Sequence, residues 1–155
     1  MAIIVEDGTL VAGANSYASE AELAAYADLR GIVITGIESE LLITAMDYIE
    51  SRAFLGTKKS VDQALVWPRN GVYIDGFLIA DDAIPQLLKD AQMEAALAVE
   101  AGSNPSGSVA RATKREKLGE MEVEYMDGAA AVTINRALSG KLSKLVYSSH
   151  RLIRT

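Results

Sequence analysis

The residue types this chain lacks do most to bound its chemistry. Its 155 residues include no cysteine and a single histidine. Without cysteine there are no disulfides and no thiolate metal sites. His150 has no acidic residue close to it in sequence, so it reads as a surface residue rather than a base or ligand. Asp81 and Asp82 are the one pair that resembles a cation site. They lie where a helix opens, and helix capping accounts for them with no further assumption. Lys58-Lys59 could meet a phosphate, but the pair sits in a polar loop over 57–62 and reads as solvated. The phosphate-cradling G-x-x-x-x-G-K-[ST], the dinucleotide G-x-G-x-x-G and the nucleophile-elbow G-x-S-x-G are all absent. The remaining carboxylates form no recognised ligand spacing. The expectation is therefore no enzyme, no cofactor and no metal.

What remains is charge placement and one aromatic loop. Net charge is −6, which argues against a general nucleic-acid binder. The last twenty residues, 136–155, hold Arg136, Lys141, Lys144, Arg151 and Arg154 and no acid. Taking those five from 15 basic residues leaves 10 against 21 acidic ones in the rest of the chain. A basic tail on an acidic body is the pattern of an arm that reaches something negative, either DNA or the acidic body of a neighbouring copy, and equally of a tail that is merely solvated. A second charged unit precedes it. Arg111, Lys114, Arg115 and Lys117 lie in one extended stretch, 109–118. In the next stretch, 120–126, Glu120, Glu122 and Glu124 alternate with Met121, Val123 and Tyr125. Period-two alternation makes a ribbon with one acidic and one apolar face, and opposite charges across it add ~0.2–1 kcal/mol per good pair. These basic and acidic residues of ribbon and tail are the candidate partner or subunit contacts. The only tryptophan lies in Trp67-Pro68-Arg69. A residue before proline is extended rather than helical. Trp67 is expected to anchor this loop in the core, with Arg69 hydrogen-bonding to carbonyls.

The elements that position these groups are mostly helical. Ser19-Glu20-Ala21-Glu22 is a capping box, and the first helix runs to about Arg30 before Gly31. The second spans about 38–53, with Leu41, Leu42, Ala45, Tyr48, Ile49 and Arg52 on its inner stripe. The third opens near Asp82, with Pro85 in its first turn. Its apolar residues are Ile84, Leu87, Leu88, Ala91, Ala95 and Ala98, and Gly102 ends it. Two Asp-Gly turns, at 7–8 and 75–76, predict small hairpins over 2–12 and 72–79. A linker at 102–108, GSNPSGS, leads to the ribbon. A short helix over 133–145 follows, and 146–155 reads as extended. No apolar run approaches ~18 residues, so no membrane span is expected. The start MAIIVEDGT has no signal-peptide pattern, which favours cytoplasmic synthesis.

Two stretches carry a family resemblance. "QALVWPRNGVYIDG" with "IADDAIPQLLKDAQMEAALA", together with the earlier "GANSYASEAELAAYADLRG", resembles a family of tailed-phage head–tail connector (head completion, or adaptor) proteins. Some of its members carry the label DnaT-like single-stranded-DNA-binding protein. The likeness covers 8–100 well and the remainder loosely. It implies a mainly α fold: a small bundle of three to four helices with short β-hairpins and an extended C-terminal arm. The expected parts are a connector domain over 1–103, a linker and ribbon over 104–131, and a helix with basic arm over 132–155. The function implied is a virion structural protein at the neck. It would form a ring of about a dozen copies closed head to tail. That ring would sit between the portal protein and a stopper or tail-terminator protein, with DNA passing through its lumen. The alternative implied is a single-stranded-DNA-binding module, for which a negative charge and 6% aromatic residues are sparse support.

Overall fold

The computed structural model describes residues 2–103 and 136–147, and the backbone alone of 116–118 and 121–123. Among these residues there are four helices: α1 Glu20–Asp28, α2 Glu38–Glu50, α3 Gln86–Glu100 and α4 Arg136–Leu142. Six short strands form three antiparallel pairs. β1 Thr57–Lys58 pairs with β2 Arg69–Asn70, β3 Tyr73–Ile74 with β4 Phe77–Leu78, and β5 Glu116–Leu118 with β6 Met121–Val123. This is a small mixed α/β domain: the helices with short hairpins are as expected, and the long 51–85 connection adds two pairs of two-residue strands to them.

α3 is the central element and packs against α1, α2 and α4. Its Leu88, Ala91, Ala95 and Ala96 are fully buried, and the three alanines are small enough to let the other helices approach. α2 meets it with Leu41, Leu42, Ala45, Met46 and Ile49, the inward face of a 3.6-residue repeat. α1 is set by its capping box: the Ser19 side chain accepts from the Glu22 N–H, and the Glu22 carboxylate accepts from the Ser19 N–H. α4 adds Leu138 and Leu142, with Leu145 just beyond it, to the same core. The chain then returns to the body: Val146 bridges Phe54, and the Tyr147 N–H donates to the Ala53 carbonyl.

Two local expectations are corrected. Residues 2–12 form no hairpin. Val5 instead makes a parallel bridge to Ser16. The buried Glu6 carboxylate accepts from the N–H groups of Gly8, Leu10 and Val11, the amides a hairpin would have paired across strands. Gly8, at φ +106°, lies so close to the Asp82 carbonyl that any Cβ would strike it. Asp81 and Asp82 do not cap α3. Pro85 holds the N-cap position, and no side chain among the described residues caps the helix. The Asp75-Gly76 hairpin does form. Both residues have positive φ, 52° and 88°, as a two-residue type I′ turn requires.

Candidate functional site

Three segments meet around the Trp67-Pro68-Arg69 loop, and its buried base fixes them. The Trp67–Pro68 peptide is cis. The Trp67 ring is fully buried and meets Phe54 edge-on at a centroid distance of 6.2 Å. Its backbone N–H donates to the Tyr17 hydroxyl at 3.1 Å, and that hydroxyl donates to Glu50 Oε1 at 2.6 Å. Glu50 Oε2 accepts from the Val66 N–H at 2.9 Å. Burial pushes the Glu50 carboxyl above its usual range, against the two hydrogen bonds that favour its charge. Burial, with the Glu50 charge beside it, likewise raises the Tyr17 hydroxyl. Trp67 Nε1 is the buried side-chain donor left without a partner among the described residues.

Arg69 ties this loop to the preceding one. Its guanidinium donates to the carbonyls of Leu55, Phe54, Gly56 and Val66, at 2.6 to 3.2 Å. A planar five-donor fork is suited to several carbonyls at once. The same 53–56 strip also accepts the end of the α4 segment: Leu55 donates to the Leu145 carbonyl, and Ala53 accepts from Tyr147. The β3–β4 hairpin follows directly on β2: the Ile79 N–H donates to the Val72 carbonyl and closes its open end, and Val72 itself is fully buried.

The hairpin is too small to bury its own side chains. Tyr73 and Phe77 are 60% and 76% exposed, and Leu78, paired across from Tyr73, is also exposed. Tyr147, on the neighbouring segment, is exposed too. Lys144 reaches the hairpin turn, where its Nζ lies 2.7 Å from Asp75 Oδ2. Lys59, held beside the loop by its N–H to the Pro68 carbonyl, reaches Asp81 at 3.4 Å. Exposed Lys58 precedes it. Two exposed rings thus flank a turn that Lys144 reaches, a combination that suits stacking and phosphate contact. Among the described residues no cluster of His, Asp or Glu could hold a metal ion, and no helix is long and apolar enough to cross a membrane.

The sequence-named residues are distributed unevenly around this region. Trp67, Pro68 and Arg69 form its base. Lys144 lies at its edge. Lys141 is turned inward, donating to the Tyr26 hydroxyl at 2.7 Å and to Glu94 at 3.2 Å. Burial opposes its charge, but these bonds outweigh that and raise its pKa. Arg136 is exposed at the start of α4. Lys117 and Glu122 are backbone register partners in the β5–β6 pair. Arg111, Lys114, Arg115, Glu120, Glu124, Arg151 and Arg154 lie outside the described residues. Sequence reasoning overlooked Tyr73, Phe77 and Tyr147. The signal for the first two was a pair of aromatics flanking a two-residue turn with no adjacent strand to cover them.

A family model matches the chain over residues 1–155; its description reads "Putative DnaT-like ssDNA binding protein". No curated protein and no solved structure matches. The family match overturns the head–tail connector expectation. That family's description names single-stranded-DNA binding and nothing of a portal, a neck or a ring. The 1–155 match covers the buried base, the aromatic hairpin and the basic tail together, and the chain belongs to the DnaT-like single-stranded-DNA-binding family.

Proposed function

We propose that the protein binds single-stranded DNA, without reading its sequence, across the β3–β4 hairpin and the adjoining 144–147 segment. Family membership supports the ligand class. The observation that carries the location is the exposed Tyr73 and Phe77 on a rigidly based hairpin. Every base has a π-face, so aromatic platforms accept any sequence, and each stack contributes about 1–3 kcal/mol. Lys58, Lys59 and Lys144 supply cations around the platform. Directly after Tyr147 the sequence continues with Arg151 and Arg154 and no acid.

The acidic balance elsewhere shapes the behaviour expected. A chain at −6 repels a polyanion at long range, so attraction is local to the cations and is screened by salt. Fluorescence anisotropy with a labelled oligo-dT of about 16 nucleotides tests the reading. At near-physiological salt the Tyr73→Ala/Phe77→Ala double variant should bind at least about thirtyfold more weakly, two stacks of at least about 1 kcal/mol each having been removed. Its melting temperature should stay close to wild type, because both rings are solvent-exposed. Equal binding by the folded double variant would move the site elsewhere.

A further inference from the structure

Two of the cations beside the aromatic hairpin are already paired, and both partners belong to the hairpin's own chain segment. Lys144 Nζ is 2.7 Å from Asp75 in the turn, with the two side chains 47% and 64% exposed. Lys59 Nζ is 3.4 Å from Asp81, three residues past β4, with exposures of 29% and 57%. The two acids therefore stand at opposite ends of the hairpin that presents the rings. Resting on the single-stranded-DNA reading, we propose that Lys59 and Lys144 are its phosphate-contacting residues. Asp81 and Asp75 hold them in the free protein as phosphate stand-ins that a DNA backbone must displace.

The energetics permit the exchange. Exposed ion pairs of this kind are weak, so either carboxylate can be exchanged for a phosphate oxygen at small cost. A DNA phosphate offers a full charge and several acceptor oxygens, and neighbouring stacked bases hold it in place. The displaced aspartate then takes up a solution cation. That uptake offsets part of the counterion release that binding would otherwise give. The hairpin is thus both platform and competitor. Its acids reject weak anions and admit a ligand that brings bases and phosphates together.

Anisotropy titrations with the same oligo-dT over a range of salt test this. Asp75→Asn keeps a residue that tolerates the left-handed turn conformation, and so removes the charge alone. It should tighten binding roughly two- to fivefold at low salt, the worth of a surface pair, and steepen the salt dependence. Asp81→Asn should act in the same direction. Lys144→Met should weaken wild-type binding and abolish the gain from Asp75→Asn in the double variant. Glu40→Gln, in the first turn of α2, removes the same charge away from the hairpin and should change binding much less. If wild type binds but Asp75→Asn gains no more than Glu40→Gln, or keeps its gain without Lys144, the stand-in role is wrong while the binding reading survives. If wild type fails to bind the oligonucleotide, both fall.

Discussion

Single side chains of three kinds decide this structure, and the sequence revealed them unequally. Trp67 and Arg69 were legible because one is unique in the chain and the other adjoins a proline, which forces an extended loop. The buried polar residues Glu6, Glu50 and Gln92 were not. A carboxylate that folds inward to meet backbone amides has the same letter as one in solvent, and no period marks it. Gln92 sits in the middle of α3, fully buried, and its amide joins Tyr17, Ala18, Ser16 and Leu42. Those partners are up to 76 positions away. Glu50 yields a prediction at this scale. Its folded pKa lies above the ordinary 4.5, chiefly through burial. An acid of that kind holds its proton more firmly when folded, so its contribution is most favourable at low pH and declines as pH rises from about 4.5. Urea denaturation of wild type and Glu50→Gln across that range should show the difference moving in favour of the variant with rising pH. A pH-independent difference would count against a raised carboxyl.

Among the elements, the three long helices could be read from apolar spacing and the α1 capping box. Their ends fell within a few residues of expectation except at α3, where Pro85 displaced the proposed aspartate caps. The two Asp-Gly turns show why a turn dipeptide is not sufficient. At 75–76 nothing competes with the hairpin, and it forms. At 7–8 the neighbouring Glu6 offers a better acceptor, and the strands never pair. α4 is the least helix-like of the four in sequence, with Gly140 in a seven-residue helix. It is nevertheless anchored by Leu138, Leu142 and Leu145, all buried against the body. Leu142→Ala should therefore cost about 2–5 kcal/mol, as for a core leucine, measured by the midpoint of urea unfolding. A loss below about 0.5 kcal/mol, the usual range for a surface site, would mean α4 is only loosely attached. The attachment also matters to the site, since α4 delivers Lys144 and Tyr147.

For the molecule as a whole, the sequence exposed the acidic body and basic tail but not where the tail begins in space. Only the fold ties the 144–147 segment to the hairpin turn through Lys144 and to the 53–54 strip through Val146 and Tyr147. Removing 148–155 should leave the body folded. It should also flatten the dependence of log affinity on log salt by about 1.4, since each phosphate neutralised on a single strand adds about 0.7 to that slope. An unchanged slope in anisotropy titrations would assign Arg151 and Arg154 no part in binding. Of the two functions drawn from family likeness in the sequence, the connector went wrong at this same scale while the single-stranded-DNA alternative is the one the family match favours, because shared loop wording constrains packing far more than it constrains partners. The Gln92 junction has a last implication, for biosynthesis. The loop around Ser16 emerges from the ribosome long before the α3 amide that receives it. The nascent N-terminal segment must therefore wait undocked until most of the chain has been translated.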